Sequence, residues 1–261
     1  MYRNVGGRAV FFALWISSIL LVGCGKEHSA SSDLPTPSGR LVSSTQDFPP
    51  VVMVLLPGST GLCTGTIVSS KAVLTAAHCT KNSGSYQIQL DGQSYYTSSR
   101  TYTGQGVVES TDDIAILDFS SSPIPNAPSY ALGREVHESD TVELVGYGCN
   151  NIDTKSGAGI KRAGQAPVAF LDDYLNFLTP QTNGRSILGP DNRAGSCFGD
   201  SGGPALRKSN GAWEIVGVTH AGGDYGNNEL ISQYTNVATN SSNRAWLQSV
   251  NSQRGLGILG L

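Results

Sequence analysis

The chain has 261 residues, of which 14% are charged, and carries a formal net charge of −3. That length suffices for one sizeable core, or for two small β units in a single domain, and the charge balance excludes a basic nucleic-acid face and a polyacidic tail. The 32 glycines and 12 prolines, about a sixth of the chain, lie with Ser, Thr and Asn between short apolar runs, which predicts many strands joined by turns.

At the N-terminus, Arg3 and Arg8 precede the apolar run AVFFALWISSILLVG, which stops at Cys24. A basic segment followed by a short apolar one is read as an export signal, and the run is too short for a comfortable membrane span. Leu21-Val22-Gly23 before Cys24 resembles a bacterial lipobox. By that resemblance residues 1–23 are removed, Cys24 is lipidated on its sulfur, and the protein sits on the bacterial cell envelope. Gly25, not Asp, follows the cysteine, so nothing here resembles an inner-membrane retention signal. The alternative is an ordinary secretory signal cut further on, with Cys24 discarded. Residues 24–40 are polar, hold two prolines, and are expected to form a tether or propeptide.

The globular part opens with FPPVVMVLLP. LCTGTIVSSKAVLTAAHC is read as strand, Ser-Ser-Lys turn and strand. YQIQLDGQSYYTSS alternates around Asp91-Gly92, a strong hairpin signal. DIAILDF is a short strand, and residues 120–128, SSSPIPNAP, are the expected connector between two halves. DTVELVGYG is a strand ending in glycines, and ALRKSNGAWEIVGVTH is a hairpin turning at Asn210-Gly211. In 241–253, Trp246, Leu247 and Val250 share one face of an expected helix with a Ser/Asn start. Once Cys24 is set aside, Cys63, Cys79, Cys149 and Cys197 remain. In an oxidising compartment they are expected to form two disulfides, with three pairings open.

Three motifs carry chemistry. CFGDSGGP (197–204) sets Asp200 and Ser201 among glycines, and a nucleophile needs such a bare, tight turn with backbone donors nearby. A chance GDSGGP in a chain of this length has odds on the order of 10⁻⁵. LTAAHC places His78 at a strand end, and DDIAIL places Asp113 immediately before a strand. With Ser201 they stand in the order His, Asp, Ser.

From about Arg40 to Gln253 the chain resembles the chymotrypsin/trypsin-like serine peptidases, through these motifs, NGAW and QYTNV. The resemblance implies an all-β fold: two six-stranded antiparallel barrels, about 41–125 and 133–240, with a C-terminal helix at about 241–253, in a domain spanning 41–255. It implies an endopeptidase in which Ser201 is the nucleophile, His78 the general base, and Asp113 the residue that orients the histidine. Asp113 is preferred to Asp112 because the family's aspartate directly precedes the isoleucine. The amides of Gly199 and Ser201 would form the oxyanion hole.

The same resemblance gives Asp200 a partner made by proteolysis. Ser38-Gly39-Arg40 before Leu41-Val42 is similar to an activation site, so a cut after Arg40 by another protease would free the Leu41 amine to pair with Asp200. Ser43 and Ser44 replace two family glycines. Because the lipid on Cys24 precedes the cut, activation would also release the enzyme from the membrane. Cys63 and Cys79 match the family's histidine-loop bridge. Cys149 and Cys197 do not match the family's commonest partners and are paired by elimination, which the family's placement of Gly146-Tyr147-Gly148 beside the nucleophile turn allows.

The substrate pocket is expected from Gly195, Ser196, Thr219, His220, Ala221, Gly222, Gly223 and Ser232. Gly195 stands where trypsin-like members have Asp, so Arg and Lys lose their main physical basis and neutral apolar residues are expected before the cut. His220, where the family has Ser, would either bind a substrate carboxylate or pack against Asp113. Only Asp91 represents the acidic calcium loop of some relatives, so no metal and no cofactor are expected. The implied partners are polypeptide substrates and the membrane. Nucleic acid is excluded, and a monomer is expected. Two other readings stay open: a catalytically silent relative kept as a binding surface, and a lipid-anchored structural or adhesion protein, for which no motif speaks.

Overall fold

The computed structural model describes residues 41–42, 47–103, 111–181, 188–189 and 191–261. The expected signal segment, Cys24, the tether and Arg40 lie outside the described residues, as do the side chains of Leu41 and Val42. Among the described residues no helix is long and apolar enough to cross a membrane.

After the short strand β1 (Leu41–Val42), the first sheet takes β2 (Val51–Leu55), β3 (Leu62–Ser69), β4 (Ala72–Thr75), β5 (Tyr86–Leu90), β6 (Gln93–Thr97), β7 (Arg100–Tyr102) and β8 (Ala115–Asp118). Its order is β6-β5-β2-β3-β4-β8-β7. The outermost strands are consecutive in the chain, parted only by Ser98 and Ser99, so the sheet must curl until its two edges nearly meet. With β6 and β7 counted as one bent strand, the expected six are present.

The second sheet holds β9 (Ala131–Leu132), β10 (Thr141–Gly146), β11 (Arg162–Pro167), β12 (Phe170–Leu171), β13 (Tyr174–Pro180), β14 (Pro204–Ser209), β15 (Ala212–Gly226) and β16 (Glu229–Asn236). Its order is β1-β11-β10-β14-β15-β16-β13-β12, with β9 parallel to β15. Six of these strands are six residues or longer, and the two-residue strands β1, β9 and β12 add to them. Residues 168 and 169 carry the chain from β11 to β12, which curls this sheet in the same way. One boundary differs from the expectation: Leu41–Val42 pairs with Ala163 and Arg162 of the second sheet, not with the first.

Alternation along the strands builds the core. In β4, Val73 points into the first sheet's own cluster with Ile67, Ile88 and Leu117, while Ala72 and Leu74 face the opposite way. In the second sheet Leu144, Ala205 and Val216 fill an inner cluster with Phe177 and Tyr234. Their chain neighbours Val145, Leu206 and Ile215 join Leu74 and Ile116 in a third cluster shared by both sheets and the helix. Period two thus feeds each strand into two cores. Each fully buried Leu, Ile or Val there contributes roughly 1.5–3 kcal/mol.

Both expected hairpins form. Asp91-Gly92 and Asn210-Gly211 each have φ between +49° and +84°, the twist-matched turn that such dipeptides favour. Helix α1 (Ser241–Arg254) starts at Asn240, whose side chain accepts from the amides of Ser242 and Asn243, and ends at Gly255 in the left-handed region. Leu247 and Val250 face the shared core, and Arg254 reaches Asp118 of β8 at 2.9 Å.

Candidate active site

The first sheet supplies an imidazole held at two points. β4 ends at Thr75, and the chain turns through one 3₁₀ turn, Ala77–Cys79, that presents His78. Asp113 lies just before β8, which pairs with β4, and is 1% exposed. One of its carboxylate oxygens accepts the His78 amide at 2.8 Å and the other meets His78 Nδ1 at 2.6 Å. Cys63 of β3 is disulfide-bonded to Cys79, which anchors the far side of the turn.

A second imidazole reaches the same carboxylate. His220 of β15 sets its Nδ1 2.9 Å from the oxygen that His78 uses, is 4% exposed, and stacks on Tyr174 with ring centroids 4.8 Å apart. Burial pushes the Asp113 carboxyl up, but the hydrogen bonds from His220 and His78 outweigh it and hold it below its ordinary range. Asp113 is therefore a carboxylate that only accepts, and both histidines donate through Nδ1–H. The Nε2 atom of a neutral His78 is left as a base.

The second sheet supplies the hydroxyl. Ser201 sits on the turn that leads into β14. Its carbonyl accepts the Thr64 amide at 2.8 Å, and the Gly202 amide donates to Thr219 at 2.8 Å. A Cβ on Gly202 would lie 2.1 Å from Thr75 Oγ1 and 2.4 Å from the Thr64 carbonyl, so only glycine lets the turn come this close to the first sheet. Gly199 has φ +99°, a left-handed geometry that orients the peptide ahead of the nucleophile. The amides of Gly199 and Ser201 donate to no acceptor among the described residues. No hydrogen bond joins His78 to the Ser201 hydroxyl, yet both line one cavity of about 290 Å³. Catalytic hydrogen bonds of this kind often tighten only once substrate is bound.

Asp200 is 1% exposed and accepts from the Gly148 and Cys197 amides, both at 2.8 Å. A second disulfide joins Cys149 to Cys197 beside it. Cys63, Cys79 and His78 lie close enough together to suggest a metal cluster, but the two sulfurs are bonded to each other and offer no thiolate.

Comparison with known proteins decides the family. The sequence profile of the family described as Trypsin matches residues 39–246. The chain belongs to the trypsin family. It is similar to a trypsin-like protease of Streptomyces glaucescens, 26% identical over 197 residues, covering 68% of this chain and 71% of that one. It is also similar to human serine protease 41, 27% identical over 211 residues, covering 67% and 65%. A CLIP domain-containing serine protease of Bombyx mori, HP8, is 28% identical over 201 residues, covering 61% and 54%. This chain thus spans less than two thirds of the length of the latter two. Members of the family are serine peptidases and act on polypeptides. The two disulfides are consistent with export to an oxidising compartment.

In this trypsin-family chain the cavity is lined by Ser196, Thr219, His220, Ala221 and Gly222 among the expected pocket residues. Gly195 is buried outside the lining, and Ser232, 1% exposed, accepts the Ser196 amide at 2.8 Å, behind the wall. Ile152, Cys197 and Phe198 complete the lining and were not expected, whereas Gly223, also in the lining, was. Phe198 is 58% exposed and directly follows the half-cystine in CFGDSGGP, a position that could have signalled it. Ile152 lies in the loop after β10, and no local pattern marks it. Among the described residues, no Asp, Glu, Lys or Arg lines the cavity.

Proposed function

We propose that this chain is a serine endopeptidase that hydrolyses peptide bonds through an acyl-enzyme on Ser201. The observation that carries the reading is a base side chain held by a buried carboxylate, in the same cavity as a hydroxyl flanked by two unengaged amides. In the proposed cycle His78 Nε2 takes the Ser201 proton as the hydroxyl attacks the substrate carbonyl. Asp113 keeps the proton on Nδ1 and stabilises the imidazolium that forms. The Gly199 and Ser201 amides donate to the oxyanion. His78 then protonates the leaving amine, and water repeats the sequence to free Ser201.

A fluorophosphonate probe tests this directly, with labelling expected at Ser201 and abolished in Ser201→Ala. A folded, processed protein that does not label favours the silent binding reading. The lack of charged side chains among the described lining residues supports a neutral residue before the scissile bond, with Arg and Lys disfavoured. Profiling on a peptide library checks that preference, and a majority of cuts after Arg or Lys contradicts it.

Activation by a cut after Arg40 belongs to the same proposal. Its support is the Ser-Gly-Arg/Leu-Val pattern together with a buried aspartate beside the nucleophile. Arg40→Gln is expected to leave the chain uncut and poorly active, and N-terminal sequencing of active enzyme should begin at Leu41. Attachment to the envelope through lipid on Cys24, and release on that cut, complete the reading. Active, Leu41-initiated enzyme still held in the membrane fraction contradicts release.

A further inference from the structure

The nucleophile turn gains little from the main cores. Cys149 and Cys197 form their own small apolar cluster with Ile152, separate from the three clusters that hold the sheets together. Residues 197–201 also spend conformational freedom on Gly199 in a left-handed geometry. Thr64 of β3 ties this segment to residues 146–149, its hydroxyl donating to the Gly199 carbonyl at 2.8 Å and accepting the Tyr147 amide at 3.0 Å, and a short set of polar contacts joins them across the disulfide. The Cys149 amide donates to the Phe198 carbonyl at 2.9 Å. Asp200 takes the Gly148 amide on one oxygen and the Cys197 amide on the other. Arg162, 2% exposed, holds the Gly148 carbonyl at 3.1 Å and the Gly157 carbonyl at 2.7 Å, which fixes the first segment from behind.

The geometry is that of a clamp. Both amides that cradle Asp200 belong to the disulfide region: Cys197 is itself a half-cystine, and Gly148 directly precedes the other. Asp200 in turn lies between Gly199 and Ser201, whose amides are the proposed oxyanion donors. Resting on the peptidase reading, we propose that the Cys149–Cys197 disulfide is the positioning element of the oxyanion loop. It holds Gly148 and Cys197 at the separation at which one carboxylate bridges them, and so fixes the direction of the Gly199 and Ser201 amides. Without the bridge, the two segments are held by hydrogen bonds to each other and to Thr64, and loops with few apolar contacts of their own open locally at low cost. The loss would fall on the transition state and not on substrate binding, because those amides act most strongly on the charge that develops there.

The test uses the folded, oxidised protein, expressed as the full chain and processed to its active Leu41-initiated form, then treated with a phosphine reductant in timed aliquots. Each aliquot is assayed, then quenched by alkylation and mapped by mass spectrometry, so that activity is read against each disulfide separately. The C149A/C197A double variant provides the same loss without reductant. As this bridge opens, kcat should fall about a hundredfold with KM within about threefold. Hydrogen exchange in peptides covering 146–150 and 196–203 should quicken at least roughly tenfold while helix α1 is unchanged. An opened Cys149–Cys197 bridge with kcat within about threefold of the oxidised enzyme overturns the proposal, as do loops that keep their protection. If the oxidised, processed protein neither cleaves nor labels at Ser201, the peptidase reading fails, and the exchange comparison alone then decides the clamp.

Discussion

The two halves of the site are positioned by different means. On the first sheet, His78 and Asp113 sit at the ends of β4 and β8, neighbouring strands whose ladder sets their separation. The His78 backbone amide itself bonds the carboxylate and the Cys63–Cys79 bridge anchors the turn, so few further contacts are needed to aim the ring. On the second sheet, Ser201 sits on a turn built from glycines, one buried aspartate, a disulfide and contacts from distant segments: Thr64, Thr219, Gly148 and Arg162. A base can be aimed by regular secondary structure because it needs one direction. The nucleophile turn must aim a hydroxyl and two amides at one point, which no strand or helix does unaided.

Substitutions can break this comparison, and the largest effect is expected at the nucleophile. Ser201→Ala should lower kcat by about a millionfold with the melting temperature little changed, read by peptide hydrolysis and thermal unfolding. Asp113→Asn comes next, with kcat down about 10⁴-fold, because an amide no longer enforces the Nδ1–H tautomer. The same variant has a stability signature. The native Asp113 pKa is depressed, so its contribution to stability is present at neutral pH. That contribution is lost as pH falls below the ordinary carboxylate value of 3.8 toward the native pKa. Urea unfolding of Asp113→Asn should therefore depend less on pH in that acidic range than the wild type does.

His220→Ala should cost kcat only about tenfold, since it removes one of several hydrogen bonds to Asp113. The acidic limb of the kcat profile should move upward, because Asp113 loses a donor that lowers its pKa, and restoring a donor with His220→Ser should recover part of both effects. An unchanged profile would mean that His220 only fills space. The smallest effect on activity is expected far from the cleft. Asn240→Ala removes the cap of α1 and should cost about 1 kcal/mol of stability in urea, with kcat unaltered.

Much of this was legible along the chain. Asp91-Gly92 and Asn210-Gly211 marked their hairpins because such dipeptides tolerate positive φ, and Trp246, Leu247 and Val250 marked the helix by spacing. GDSGGP, the His78 turn and Asp113 were readable because each is a local requirement written in consecutive residues. The Leu41–Val42 pairing was not, since a two-residue strand carries no period and its partner lies more than a hundred residues away. Nor were Ile152 and Phe198, which reach the cavity only because loops converge there.

The order of residues by itself determined the alternating strands, the turns, and the identity of the groups able to take and give a proton. That follows because backbone dihedrals and side-chain periodicity act over a few residues at a time. Only the tertiary structure decided that two histidines share one carboxylate oxygen, that Ser232 supports the pocket wall from behind, and that Asp200 is held between segments joined by sulfur. Those are meetings across 35 to 107 positions of chain, and their geometry exists only once two curled sheets have packed against each other.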